Sequence, residues 1–206
     1  MIKRFIAQQF RQPTGFFGKI VGKLMAKGNL PVINETIQRL EISDEDIILE
    51  IGYGPGLGIM EILSTNSKCT MKGIDFSDLM YKIASKRNRK FIQDKRLELF
   101  NGDFLSFELK SNSFSKVFGV NVIYFWPDLP IAATKIKSIL KPSGKAVLYM
   151  SHKEDLVKIS FTKTDVFYKY DIDTALTAFR NAGFSAVSSG ESMNGSFRCY
   201  YITVTN

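Results

Sequence analysis

Apolar positions along the chain fall into two alternating spacings. Short, nearly unbroken apolar runs at residues 46–51, 70–74, 97–100, 116–122 and 146–150 read as buried strands. Between them the apolar residues take helical spacing over 57–63, from about 79 to 91, over 131–140, which Pro142 and Gly144 close, and over 174–182, which Gly183 ends. Two more strands, 186–189 and 199–204, are joined by residues 190–196. Ahead of the first strand, Ile20, Val21 and Leu24, then Ile33, Ile37 and Leu40, are helix-spaced, and residues 28–31 break the two segments apart. Strands alternating with helices predict an α/β fold with a parallel sheet, and ligands then bind at the carboxyl ends of the strands.

Composition adds bounds. The chain has 206 residues, 45% hydrophobic and 23% charged, enough for one domain with a sizeable core and unlike a disordered, collagen-like or disulfide-rich chain. Cys69 and Cys199 are far apart and read as buried packing residues, and a single histidine, His152, excludes a multi-histidine metal site, so no metal is expected. No apolar run reaches the roughly 18 residues of a membrane span, and the N-terminus lacks the features of a secretory signal, so a cytoplasmic location is expected. Charge is the oddity. Lys+Arg 28 against Asp+Glu 20 give +8. Lys3, Arg4, Arg11, Lys19, Lys23 and Lys27 all precede the first acid, Glu35, and a second basic cluster spans residues 82–96.

Candidate chemistry concentrates where strands end. Ile48-Leu49-Glu50-Ile51-Gly52-Tyr53-Gly54-Pro55-Gly56-Leu57-Gly58 ends the first strand and opens a helix. Glycines let such a turn bring backbone close to a ligand. The dinucleotide pattern G-x-G-x-x-G fails, since its third glycine would fall on Leu57 or Ile59. What fits is acid-x-G-x-G-x-G, and Glu50 suits a ligand with a cation near the turn. Gly73-Ile74-Asp75-Phe76-Ser77 ends the second strand, where the Asp75 carboxylate can accept both hydroxyls of a ribose. Asn101-Gly102-Asp103-Phe104 ends the third, and Asn121-Val122-Ile123-Tyr124-Phe125-Trp126 the fourth. Leu140-Lys141-Pro142-Ser143-Gly144-Lys145 turns into the fifth.

Taken in order, these segments resemble the motifs of the class I S-adenosylmethionine (SAM) dependent methyltransferases over about residues 35–150. Gly73–Met80 and the Asn121–Trp126 segment look most like the branch with the ubiquinone/menaquinone C-methyltransferases. Ser143 stands where that family usually has glycine, and Ser115 where an aspartate is common. The resemblance implies a Rossmann-like, seven-stranded, mostly parallel sheet flanked by helices, with the last strand antiparallel. This domain would span residues 41–206, behind an N-terminal helical cap of residues 1–40. It implies SAM as cofactor and S-adenosylhomocysteine as product. Glu50, Gly52, Tyr53, Gly54, Gly56, Asp75, Phe76, Ser77, Met80, Gly102, Asp103, Phe104 and Asn121 are the implied cofactor contacts.

Methyl transfer from a sulfonium is an in-line displacement, helped by holding the acceptor at near-attack distance in a dry pocket. A base is needed only where the acceptor must lose a proton. Tyr53, Tyr124 and His152 are the candidates, with Trp126 nearby at a strand end. Tyr124 and Trp126 read equally as core aromatics, and His152 as an exposed loop residue. The expected reaction methylates a small organic acceptor, lipophilic or anionic. The alternatives are an RNA or protein methyltransferase that uses the basic surface, and a SAM-binding module without catalysis. No nucleic-acid-binding motif is recognisable, so nucleic acid is not the expected partner. The basic N-terminus reads as a cap helix whose apolar face (Phe16, Phe17, Ile20, Val21, Leu24) covers the acceptor pocket, or as an interfacial helix touching anionic lipid through residues 1–30. Oligomeric state is left open.

Overall fold

The computed structural model describes residues 1–66 and 68–206. Two helices, α1 (Ile2–Arg11) and α2 (Gly15–Leu40), lead into β1 (Ile47–Ile51), α3 (Leu57–Thr65), β2 (Thr70–Asp75), α4 (Asp78–Arg87), α5 (Arg89–Gln93), β3 (Leu97–Asn101) and β4 (Phe114–Val120). Then come α6 (Leu129–Ile139), β5 (Leu140–Ser151), α7 (Lys153–Leu156), α8 (Ile172–Asn181), β6 (Ala186–Asn194) and β7 (Phe197–Thr205). The strands form one sheet in the order β3-β2-β1-β4-β5-β7-β6. β7 pairs antiparallel with both β5 and β6 while β1 to β5 run parallel, so the sheet has the expected class, with its last strand reversed.

Residues 48–51 of β1 are all buried, as a central parallel strand covered on both faces requires. One core layer packs α6 and α8 on the sheet through Ala132, Ile136, Leu176 and Phe179; the opposite layer packs α2 and α3 through Leu40, Ile59 and Ile62. Strand order reverses between β1 and β4, and the crevice at that switch point is where open α/β sheets bind ligands. The glycine turn after β1 lies there. Ser115 ties the two strands at their other end: its hydroxyl accepts the Ile47 N–H at 2.9 Å and donates to the Ile47 carbonyl at 3.2 Å.

The structure corrects four local expectations. Residues 28–31 do not break the chain; α2 runs through Pro31 as one helix of 26 residues. An internal proline costs about 3 kcal/mol, which is outweighed by burial of Gly18 and Gly22 in one half and of Val32, Ile33 and Leu40 in the other. The predicted helix over 79–91 is cut at Asn88, whose side chain donates to the Gly56 carbonyl at 3.0 Å and the Ala84 carbonyl at 3.1 Å and so competes with helical backbone bonding. The link between the last two strands shrinks to Gly195 and Ser196, because Gly190 pairs with Tyr201 inside β6. Of the cap's apolar face only Leu24 reaches a pocket: Phe16 is 74% exposed and Phe17 60%. Side chains on the other side of α2 meet the sheet instead.

Candidate active site

β1 delivers a carboxylate, and the turn after it delivers backbone. Glu50 is buried beneath the start of α3, and its Oε2 has no hydrogen-bond partner. A Cβ at Gly58 would lie 2.7 Å from Glu50 Oε1, so glycine there makes the cradle for this acid. Burial first, and the Asp75 charge second, raise the Glu50 carboxyl well above the usual carboxylate range.

Asp75 ends β2 and clasps the turn. One carboxylate oxygen accepts the Gly54 N–H at 2.8 Å and the other the Ser77 N–H at 2.8 Å. Burial outweighs these two bonds and lifts Asp75 from 3.8 to about 6. Gly54 has φ +50 and no heavy atom within 4 Å of a Cβ built on it, so its outer face is open. Gly56 has φ +77 but is packed, its Cβ position 2.5 Å from Asn88 Nδ2.

Three cavities meet along this edge. The first is lined by Asp75, Phe76, Gly102, Asp103, Phe104 and Trp126, with Arg11 of α1 across from them. The Arg11 guanidinium sits 5.7 Å over the Phe76 ring, and Asp103 turns its carboxylate to the Leu105 N–H at 3.0 Å on the rim. The second follows the glycine turn, between Glu50, Gly52, Tyr53 and Gly54 on one side and Met25, Asn29 and Ile33 of α2 on the other. The third, about 330 Å³, is mostly apolar, with Phe10, Leu24, Met25, Tyr124, Phe125, Leu156, Phe161 and Phe167 in its wall. Phe125 borders the first and third cavities, and Met25 and Asn29 the second and third.

The structure therefore gathers Glu50, Gly52, Tyr53, Gly54, Asp75, Phe76, Gly102, Asp103 and Phe104 on two adjoining cavities, and Asn121 on the third. Asn121 takes φ +60 and donates its side-chain N–H to Asn29 Oδ1 at 3.2 Å. Other candidates lie elsewhere. Met80 is buried under Gly22 of α2. Ser77 caps α4 and donates its hydroxyl to the Pro13 carbonyl at 2.7 Å, which ties down the N-terminal segment. Tyr53 donates to the Phe100 carbonyl at 3.1 Å, and the Tyr124 hydroxyl accepts the Ser151 N–H. Burial raises both phenols above their usual range. His152 lines none of the three cavities; it caps α7, its Nδ1 accepting the Glu154 N–H at 3.2 Å, and its ring lies 5.4 Å from that of Tyr200.

Sequence reasoning missed Arg11, Met25, Asn29 and the irregular segment 156–167. The signal for that segment is its apolar content without period (Leu156, Ile159, Phe161, Val166, Phe167), which marks a loop folded inward.

A methyltransferase-domain family model matches residues 48–144. A Bacillus subtilis protein named uncharacterized methyltransferase YdaC is 33% identical over 168 residues, covering 82% of this chain and 87% of that protein. The chain belongs to the class I SAM-dependent methyltransferases. Its cofactor is SAM, and the enzyme shares 24% identity over 163 residues with the sterol 24-C-methyltransferase of Kluyveromyces lactis, covering 73% of this chain but 43% of that one. Among solved structures, the methyltransferase matches one from a complex with the Haloferax volcanii Trm112 methyltransferase activator at TM-score 0.78 and 16% identity, over 89% of this chain and 92% of the other. The ubiquinone/menaquinone branch is not specified by these relatives.

The residues present suit this cofactor. A cation-bearing ligand answers the partnerless Glu50 oxygen, and the open face of Gly54 leaves room for it at the turn.

Proposed function

We propose that this methyltransferase acts on a small, largely apolar organic acceptor held in the 330 Å³ cavity between α2, the end of β4 and the segment 156–167. The supporting observation is that an apolar cavity of ligand size shares wall residues with both cofactor-side cavities, Phe125 with one and Met25 and Asn29 with the other. The relationship to a sterol methyltransferase agrees with a lipophilic acceptor.

In this reading Glu50 and the 52–54 turn hold the amino-acid end of SAM, Asp75 its ribose, and Phe76, Gly102, Asp103 and Phe104 its adenine. When bound, SAM supplies an electrophilic methyl on a sulfonium. The chain positions the acceptor and excludes water. The Asn29–Asn121 pair is a polar mark at the junction of the acceptor cavity and the glycine turn, suited to orienting the nucleophilic atom. None of the residues lining the acceptor cavity among those described is an Asp, Glu, His or Lys, and the Tyr124 phenol is already engaged. The acceptor therefore brings its own nucleophile, such as a lone pair or an electron-rich carbon, and rate comes from proximity and desolvation.

Methyl-labelled SAM incubated with a host extract, with and without RNA, tests this. Label in the solvent-extractable small-molecule fraction is the expected result. Label confined to RNA or protein would overturn the acceptor class.

A further inference from the structure

α1 and the first half of α2 present to solvent what a helix normally buries. Of the twelve large apolar side chains left exposed among the described residues, eight belong to residues 1–30: Met1, Ile2, Phe5, Phe16, Phe17, Ile20, Leu24 and Leu30. Three of them join the two helices, since the Phe5 and Phe17 rings meet edge-on at 5.8 Å and Phe16 lies 6.1 Å from Phe17. Phe16, Ile20 and Leu24 recur every fourth residue and make one stripe. Exposed Lys19, Lys23 and Lys27 recur at the same interval along its flank. Arg4 is paired with Asp165 at 3.1 Å, whereas these three lysines form no ion pair among the described residues.

We infer that residues 1–30 form a docking surface for an anionic lipid bilayer, with Phe16, Phe17 and Ile20 entering the headgroup–acyl boundary and Lys19, Lys23 and Lys27 meeting lipid charge. An aromatic and aliphatic stripe beside a lysine row, in a segment with no acid before Glu35, complements a negative lipid surface. The same charges disfavour a second copy, because a two-fold contact through this patch sets lysine rows against each other. Leu24 belongs to both the stripe and the acceptor cavity, so the surface leads into the site. Docking rests on the stripe and its charges, and stands whether or not the acceptor reading holds.

Co-sedimentation with vesicles of phosphatidylcholine containing about one-third phosphatidylglycerol tests it. The full chain is expected to pellet with these vesicles, weakly with pure phosphatidylcholine, and less as salt rises. Lys19→Glu, Lys23→Glu and Lys27→Glu together lower partitioning about a hundredfold at low salt, and Phe16→Ser with Phe17→Ser lowers it about tenfold or more. Melting and S-adenosylhomocysteine binding, unchanged in both variants, show that they are folded. Wild-type protein left in the supernatant, or pelleting to the same extent in wild type and variants, would overturn the inference. So would a vesicle-free wild-type dimer that Phe16→Ser with Phe17→Ser dissociates, which would assign the patch to self-association.

Discussion

Gly54 and Gly56 share a turn and a positive φ but differ in what surrounds them, and alanine at each separates ligand contact from packing. Both substitutions force a side chain into the left-handed region, at about 1–2 kcal/mol. At Gly54 that is the whole structural cost, since no heavy atom lies within 4 Å of the new Cβ. At Gly56 the Cβ falls 2.5 Å from Asn88 Nδ2 and 2.9 Å from Ala84 Cβ, adding about 1–3 kcal/mol of overpacking. The Asn88 bond to the Gly56 carbonyl is strained as well. Urea unfolding of the cofactor-free protein should therefore show Gly54→Ala losing about 1–2 kcal/mol and Gly56→Ala roughly twice that or more. Calorimetric titration with S-adenosylhomocysteine should rank them the other way per unit of stability lost: the mildly destabilised Gly54→Ala binds at least about a hundredfold more weakly, because its methyl stands where the ligand approaches. Normal binding by Gly54→Ala, or equal destabilisation by the two, would refute this account of the turn.

Other outcomes follow from the same geometry. Asp75 binds its proton more tightly folded, at about 6, than at its ordinary 3.8; the stability this confers is complete below about pH 4 and lost as pH rises through about 6, roughly 3 kcal/mol for the group. The unfolding free energy of wild type minus that of Asp75→Asn should fall across this window, and a flat difference would refute the burial argument. Tyr124→Phe should cost about 1–3 kcal/mol by orphaning the Ser151 N–H yet leave kcat within a few-fold; a loss near the 10²–10⁴-fold typical of a removed base would make Tyr124 catalytic. His152→Ala should likewise leave kcat unchanged, measured by label transfer. Gly28→Leu, at a helical position with open space on the acceptor cavity, should gain up to about 1 kcal/mol, keep S-adenosylhomocysteine binding and raise the acceptor KM. Unchanged KM would move the acceptor elsewhere.

The four motif segments could be read in the sequence because each joins a strand end to a turn, where backbone geometry needs particular residues within a few positions. Glu50, Gly54 and Asp75 show their role that way. Asn88 did not, since the break it makes in the helix depends on the Gly56 carbonyl, 32 residues away. Arg11 and Asn29 were equally hidden: they reach the site only because α1 and α2 fold over it, and no local pattern encodes that approach.

The sequence by itself determined the alternation of strands and helices, the buried β1, the glycine turn and the acids at strand ends, all products of short-range periodicity and steric need. Tertiary structure alone decided that α2 runs unbroken through Pro31, that Met80 and Ser77 brace the N-terminal segment, and that His152 caps a helix. It also decided which side of the N-terminal helices faces out. An amphipathic stripe says that one face seeks an apolar medium; whether protein or some other surface supplies it depends on packing, and here Leu79 and Met80 of α4 took the face with Gly18 and Gly22 and left Phe16 and Phe17 in solvent.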